Sequence, residues 1–259
     1  MLEDQLTKAA VEVGKDVAED VLRPSSKAIG EHLGIFVDGV MGWLSFWGEK
    51  QRIKRQIYLD DYKQKITSKV NSIPQDNLIE PDVRIVGPAL ESSKYHIEKE
   101  EFRELFAQLI ASSCNSTKSS SIHPAFPEII TQLSSMDARF LYILSKASTL
   151  PAVEFYIRHS GSKITSFPYL IFGFTDIEPH FSMQEELDLS VTIENLIRLG
   201  LILKNSRVLK LNYDYEQFKN HWLYLDIQKQ DKNKGDSLLM HKYRVELTPL
   251  GKAFISCCF

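Results

Sequence analysis

One histidine, His123, is the side chain best placed in this sequence to do acid–base chemistry. It begins the string HPAFPEII at residues 123–130, and the carboxylates Glu128 and Asp137 follow it along the chain. A catalytic histidine needs a nucleophile or an orienting carboxylate within hydrogen-bonding distance in a cleft, and nothing in this spacing fixes such a geometry. We expect His123, which directly precedes a proline at the entrance of a helix, to make a local hydrogen bond to the backbone instead.

Clustered carboxylates are a second common acid–base apparatus, and four glutamates lie between residues 98 and 104. They are Glu98, Glu100, Glu101 and Glu104. Acidic side chains in the first turn of a helix are stabilised by its dipole without any chemistry, and we expect that role here. The sequence has no glycine-rich phosphate loop and no H-E-x-x-H, G-x-S-x-G or kinase signature. We therefore predict no catalytic residue, no metal site and no cofactor, with a dispersed active site as the alternative.

The three cysteines indicate neither a disulfide framework nor a zinc site. Cys114, Cys257 and Cys258 are odd in number, and no two of them form a C-x-x-C pair. We expect plain thiols, with acylation of the terminal pair as the alternative. The first residues, MLEDQ, are acidic where a secretory signal would be basic, so we expect a cytoplasmic protein. The net charge of −3 argues against a generic nucleic-acid binder.

The first 72 residues place an apolar run between two helical patterns. Residues 1–23 predict an amphipathic helix, and residues 49–72 predict a basic helix. The apolar face of the basic helix carries Ile53, Ile57, Ile66 and Val70. The run Leu33–Trp47 is too short to span a bilayer, which takes ~20 apolar residues.

Aromatic residues at the end of this run, followed at once by cations, indicate a segment that lies on an anionic membrane surface. The candidate membrane-contact residues are Trp43, Phe46, Trp47, Lys50, Arg52, Lys54 and Arg55. The same residues fit a buried hairpin that packs on residues 95–112, followed by a solvated basic helix, and we give this interpretation slightly more weight.

The centre of the chain alternates connectors and helices. Three prolines and a glycine predict an extended connector over Pro74–Leu90. Apolar residues at helical spacing predict a helix over Lys94–Ser112, and a short helix ends near Gln132. We expect Ser135 to cap the next helix, with Asp137 in its first turn.

The last third of the chain has the element order of a winged-helix domain. Val191–Leu199 predicts a helix that Gly200 ends, and Leu201–Lys204 predicts a strand. Residues 243–255 predict a strand, a turn and a closing helix. A recognition helix that reads duplex DNA carries basic residues on its exposed face, whereas this one offers Arg198 alone. We therefore do not expect specific DNA binding, and we expect this helix to contact a protein instead.

The most distinctive motifs lie in the centre. The string LFAQLIASS at 105–113 is followed by HPAFPEIITQLSSMDA at 123–138, and IPQDNLIEP at 73–81 and PALE at 88–91 stand upstream. In this order they resemble the bacterial abortive-infection alpha (Abi-alpha) family, closely over residues 30–150 and in outline beyond. His123, Pro124 and Phe126 lie in the family-like motif. The resemblance implies a role in limiting phage infection at the cost of the infected cell, and it supplies no catalytic residue.

Together these patterns predict a mainly α protein, with helical N-terminal and central regions and a C-terminal winged-helix-like α+β module. The expected domains are residues 1–72, 73–133 and 134–259. We expect a non-enzymatic effector or sensor of anti-phage defence that acts through protein or membrane contacts. Its expected partners are another protein or a second copy of itself, and an anionic surface at the inner face of the cell membrane. The alternatives are a winged-helix nucleic-acid-binding regulator and an unrecognised toxin enzyme.

Overall fold

A computed structural model describes residues 52–159, 163–173, 181–230 and 236–259. Its helices and strands there are, in chain order, α1 Arg52–Asn71, α2 Val83–Ser93, α3 Glu100–Ser113, α4 Ser116–Ser119, α5 Phe126–Thr131, α6 Ser135–Ala147, β1 Thr149–Arg158, β2 Ile164–Phe172, α7 Met183–Arg198, β3 Ile202–Asn205, α8 Trp222–Gln230, β4 Ser237–Leu247 and α9 Pro249–Cys258. This is the mainly α chain that the sequence predicts. Within the described ranges, no helix is long and apolar enough to cross a membrane.

The chain divides into two compact units. Of the described residues, 52–132 and 253–259 belong to the first unit, and those between 133 and 252 belong to the second. The three domains expected from the sequence stay a prediction.

In the first unit, helix α1 buries one face against α3. Its buried side chains are Leu59, Tyr62, Ile66 and Val70. The expectation for Ile57 is wrong, because this side chain is 59% exposed. The apolar face of α1 therefore includes Tyr62, whose aromatic side chain is fully buried.

The expected extended connector is wrong for residues 83–90, because α2 lies there. Asp82 caps this helix by accepting a hydrogen bond of 2.9 Å from the backbone N–H of Arg84. Pro88 lies inside the helix and removes one backbone donor. Burial of the face that carries Ile85, Val86, Ala89 and Leu90 offsets that loss.

The second unit begins with a capped helix. Ser134, and not Ser135 as expected, is the cap of α6, and it forms a capping box with Asp137. The Asp137 carboxylate is 2% exposed and also accepts a hydrogen bond of 2.8 Å from Asn195 on α7. The predicted cap is displaced by one residue, because two serines are adjacent in the sequence.

The second unit contains a four-stranded antiparallel sheet in the order β2-β1-β4-β3. The hairpin β1–β2 was not predicted from the sequence. Its register shifts between Glu154 and Tyr156, opposite the part of β2 that contains Pro168. Proline is tolerated in edge strands and at such irregularities, and β2 is an edge strand.

Alternate side chains of the sheet pack on different partners. Val153, Phe155 and Ile157 of β1 lie in an apolar cluster with side chains of the 3-10 helix Tyr215–Asn220 and of α8. Helices α6 and α7 also contact the sheet, and Phe140 packs edge-on against Phe172 at 5.0 Å.

The elements that follow α7 agree with the sequence prediction. Gly200 has a φ of 72°, a conformation that favours glycine, and it follows the last turn of the helix. Strands β3 and β4 pair antiparallel, and α9 closes the order. The helix itself begins earlier than predicted, because Ser182 and Glu185 form a second capping box.

Candidate functional site

The predicted membrane-contact residues fall largely outside the described part of the chain. Trp43, Phe46, Trp47 and Lys50 precede the first described residue. Arg52, Lys54 and Arg55 belong to the start of α1, and their side chains also lie outside the described set. A membrane role for this segment stays a prediction.

The family-like motif around His123 has a structural role. The ring Nδ1 of the exposed His123 accepts a hydrogen bond of 3.1 Å from the backbone N–H of Ala125, which confirms the local hydrogen bond expected. Pro124 is exposed beside it. Phe126 is fully buried and packs edge-on against Phe254 at 5.2 Å. The motif therefore starts α5 and fixes one aromatic side chain in the core.

Two carboxylates of the acidic cluster, Glu100 and Glu104, make ion pairs with α1. Glu104 pairs with Lys69 and, at 3.4 Å, with Lys65, which also contacts Glu100 at 3.4 Å. Burial alone would raise the pKa of Glu104, but the hydrogen bonds and charges of the two lysines outweigh it and lower the pKa. A carboxylate held ionised between two lysines is a helix-to-helix contact and not a general acid.

A hydroxyl–imidazole–carboxylate chain lies at the end of three strands, and no sequence motif indicates it. His159 Nδ1 lies 2.6 Å from Asp236 Oδ2, and His159 Nε2 lies 2.9 Å from Thr165 Oγ1. The Asp236 side chain is 4% exposed, the imidazole is 29% exposed, and Thr165 is exposed. A carboxylate at Nδ1 favours the tautomer whose Nε2 can accept the hydroxyl proton. The arrangement can therefore act as a general base on Thr165.

The same three side chains have a structural explanation. Thr165 lies opposite Ile157 across the β1–β2 pair, and Asp236 directly precedes Ser237, the partner of Arg158. Hydrogen bonds through His159 therefore join the ends of neighbouring strands.

A second polar cluster spans three strands of the sheet. Tyr243 on β4 donates a hydrogen bond of 2.8 Å to Glu154 on β1, and Lys204 on β3 lies 2.7 Å from the other oxygen of Glu154. Lys204 also lies over the Tyr243 ring, 4.4 Å from its centre. Burial, and then the Glu154 hydrogen bond and charge, raise the pKa of Tyr243, so the phenol stays protonated. The cluster fastens β1, β3 and β4 together.

Glu186 on α7 accepts two hydrogen bonds from the start of α8. The donors are the ring nitrogen Nε2 of His221 and the indole N–H of Trp222, each at 3.2 Å. Burial acts to raise the pKa of Glu186, but the two hydrogen bonds and the charge of His221 outweigh it and lower the pKa. This carboxylate fixes the position of α8.

All three cysteines are buried free thiols. Burial raises the pKa of Cys114 to about 12, and it also raises the pKa of Cys257 and of Cys258. Thiols of this kind are inert. Among the described residues, no group of His, Cys, Asp or Glu side chains is arranged to hold a metal ion.

The exposed face of α7 combines acidic and apolar side chains, with one exposed cation, Arg198, in the last turn of the helix. Val191 is 72% exposed, and the acidic residues Asp188 and Glu194 lie three positions before and after it on the same helix. Met183 at the start of the helix is 57% exposed, and Ile197 near its end is 40% exposed. We call these five residues the α7 face.

This geometry defines a mainly α protein that has a C-terminal antiparallel sheet and internal ion pairs between its elements. The family model of abortive infection alpha matches residues 54–258, and the chain belongs to this family. The comparison with curated proteins found no match.

One solved structure is similar, that of an uncharacterized protein from the hydrocarbon-degrading marine bacterium Alcanivorax borkumensis SK2. It covers 55% of this chain and 94% of its own, at 17% sequence identity and a TM-score of 0.33. At that TM-score the similarity identifies neither a fold nor a function.

Proposed function

We propose that this protein limits phage propagation by abortive infection, as a non-enzymatic effector or sensor that acts through protein or membrane contacts. Membership of the abortive infection alpha family supports the defence role. We place it in the cytoplasm, with a peripheral position at the inner face of the membrane when the N-terminal segment contacts lipid.

The second unit is proposed to be a winged-helix-like module. Its support is the order α6, β1, α7, β3, β4, in which the antiparallel pair of β3 and β4 follows α7. It departs from a simple winged helix in two places. Strand β2 stands between β1 and α7, and a 3-10 helix and α8 stand between β3 and β4.

The observation that carries the contact mechanism is the α7 face. A helix that docks in a DNA groove presents cations to the phosphates, because phosphate contacts dominate affinity. The middle of the α7 face presents an exposed valine between two carboxylates, which phosphates would repel. We propose that its occupant is a protein with an apolar patch rimmed by cations. Two copies of the same acidic face would repel each other, so the partner is a different surface.

Two measurements test this proposal. In phage-challenged cells, the protein is expected to reduce burst size while infected cells die or arrest. Unchanged burst sizes across a diverse phage panel would contradict the defence role. On duplex DNA, weak binding without sequence preference is expected at most, and a specific footprint that persists at physiological salt would favour the nucleic-acid-binding regulator instead.

The chain Thr165–His159–Asp236 favours a second candidate, a toxin enzyme. In that reading His159 takes the hydroxyl proton while Oγ1 of Thr165 attacks a carbonyl carbon, and the imidazolium returns the proton to the leaving group. Water then releases the acyl group from the threonine.

One pair of variants separates the two candidates. Thr165→Val removes the hydroxyl with little change in volume, and Thr165→Ser keeps it. An enzyme loses protection in the valine variant and retains it in the serine variant. The contact mechanism predicts that both variants protect as the parent does.

A further inference from the structure

The loop between β3 and the 3-10 helix holds the most exposed large apolar side chain of the described residues. Leu211 is 83% exposed, and Val208 in the same loop is 47% exposed. We call residues 206–212 the apolar loop. Isolated exposed side chains need no explanation, but two in one short loop offer an apolar contact to a partner.

Several hydrogen bonds hold this loop in place. The side-chain oxygen of Asn205 accepts from the backbone N–H groups of Arg207 at 2.9 Å and Val208 at 3.0 Å. The backbone N–H of Lys210 donates to Tyr215 Oη at 3.1 Å, and this hydroxyl donates to the carbonyl of Tyr243 at 2.8 Å. The loop conformation is therefore fixed by contacts at both of its ends.

Inward-facing residues in and directly after the loop explain why Val208 and Leu211 are exposed. Leu209 and Tyr213 pack against the apolar cluster beneath the sheet. Asn212 between Leu211 and Tyr213 has a φ of 56°, a left-handed turn that asparagine tolerates. The exposure of Val208 and Leu211 thus follows from an anchored backbone, and the loop presents them in a preformed arrangement.

Charge selects the partner. From residue 204 to residue 213 the sequence carries Lys204, Arg207 and Lys210 and no carboxylate. The next residue, Asp214, is acidic, and its carboxylate caps the 3-10 helix by accepting a hydrogen bond of 2.9 Å from the backbone N–H of Glu216. Glu154 neutralises Lys204, and Lys210 donates to the carbonyl of Thr149 at 3.0 Å, which leaves its charge in place. A surface that receives this loop must therefore be anionic around an apolar interior.

We propose that the apolar loop inserts Val208 and Leu211 into an anionic lipid surface, with the exposed Arg207 at the headgroups. An anionic bilayer combines negative headgroups with an apolar layer that accepts protruding aliphatic side chains. A nucleic acid fits less well, because its bases stack on aromatic side chains and these two are aliphatic. This inference rests on the membrane branch of the proposed function, and it names a contact distinct from the N-terminal segment.

A single labelled side chain tests the insertion in the full-length protein. A bimane fluorophore is attached to Leu211→Cys, and the native thiols are not expected to react because they are buried. With phosphatidylglycerol-containing vesicles, a blue shift and quenching by spin-labelled acyl chains are expected. With phosphatidylcholine vesicles neither is expected. The matched control is Ile164→Cys, which carries the label on a residue 55% exposed in β2 and is expected to show no quenching. Absence of quenching at residue 211, or equal quenching at both positions, overturns the proposal.

A second variant checks the affinity. Val208→Ser combined with Leu211→Ser is expected to lower the partition coefficient on anionic vesicles about tenfold, which corresponds to ~1.4 kcal/mol. Both side chains are exposed, so the thermal unfolding midpoint is expected to stay that of the parent. Unchanged vesicle affinity in this variant overturns the loop contact. If Trp43→Ala with Trp47→Ala abolishes binding while the serine variant binds as the parent does, the loop inference fails and the proposed function stands. The proposed function itself would be contradicted if the parent protein gave no protection against phage.

Discussion

The ion pair between Arg103 on α3 and Asp61 on α1 is expected to be a large single contribution to the stability of the first unit. Arg103 is 7% exposed, and its Nε donates to Asp61 Oδ2 at 2.6 Å. Its Nη1 donates to the carbonyl of Ile97 at 2.6 Å, and the guanidinium lies 5.0 Å from the centre of the Tyr58 ring.

Arg103→Met keeps the apolar stem and removes all three interactions. A hydrogen bond between charged groups contributes ~1.5–3 kcal/mol, and a cation–π contact at a partly exposed site contributes ~0.5–1 kcal/mol. Breaking a fully buried pair costs ~3–5 kcal/mol. The Asp61 side chain is 38% exposed and can be hydrated once its partner is gone, which reduces the cost. We expect a loss of ~2–3 kcal/mol in the free energy of unfolding.

The assay is urea unfolding followed by circular dichroism, for Arg103→Met, Asp61→Asn and the double variant. Because the two side chains share one interaction, the double variant is expected to lose ~1–2 kcal/mol less than the sum of the single losses. The matched control is Arg84→Met, which breaks the exposed pair with Asp82 and is expected to leave the midpoint almost unchanged. Losses below ~0.5 kcal/mol for both single variants, or strictly additive losses, would refute this reasoning.

Three further predictions concern other parts of the fold. Gly251→Ala places a Cβ 1.9 Å from a backbone carbonyl oxygen and is expected to destabilise strongly, whereas Gly87→Ala meets no atom within 4 Å and is expected to gain ~0.5–1 kcal/mol; thermal unfolding decides both. Because hydrogen bonds lower the folded pKa of Glu186, its carboxylate stabilises the fold above its unfolded pKa of ~4.3, and this stabilisation is lost as pH falls through the folded pKa. Glu186→Gln is therefore expected to be less stable than the parent at pH 7, with a difference in the free energy of unfolding that narrows once the pH falls below the unfolded pKa; a constant difference would contradict this. The native protein is expected to react with a thiol reagent at none of its three cysteines at pH 8, and at all three after denaturation; rapid reaction without denaturant would contradict their burial.

Local signals in the sequence predict the elements that have local causes. Gly200 ends α7 because a left-handed residue is needed there, and the strand and helix after it follow from short, regular patterns. The boundaries of α6 and α7 depend on capping boxes, and a choice between neighbouring serines decides them.

Elements that depend on tertiary contacts could not be predicted. Pro88 and Gly87 argue against a helix, yet α2 forms because one face is buried against α3 and α5. Strand β1 has a run of buried residues on both faces, so the alternation that identifies a half-buried strand is weak in it.

Candidate sites divide in the same way. The local hydrogen bond of His123 depends on residues two positions apart, and the sequence predicts it. His159 and Asp236 are 77 positions apart, and only the pairing of β1 with β4 brings them together. No pattern of spacing in the sequence carries that information.

The burst size of phage in cells that carry Val191→Asp tests the contact mechanism most directly. This substitution adds a charge at the centre of the α7 face, where a side chain that is 72% exposed is expected to enter an apolar patch of the partner. The matched control is Leu225→Asp, on a helical residue of α8 that is 40% exposed and does not belong to the α7 face. We predict that the control reduces burst size as the parent does, and that Val191→Asp restores the burst size of unprotected cells although the protein stays folded and abundant. Full protection by a folded Val191→Asp variant would contradict the account.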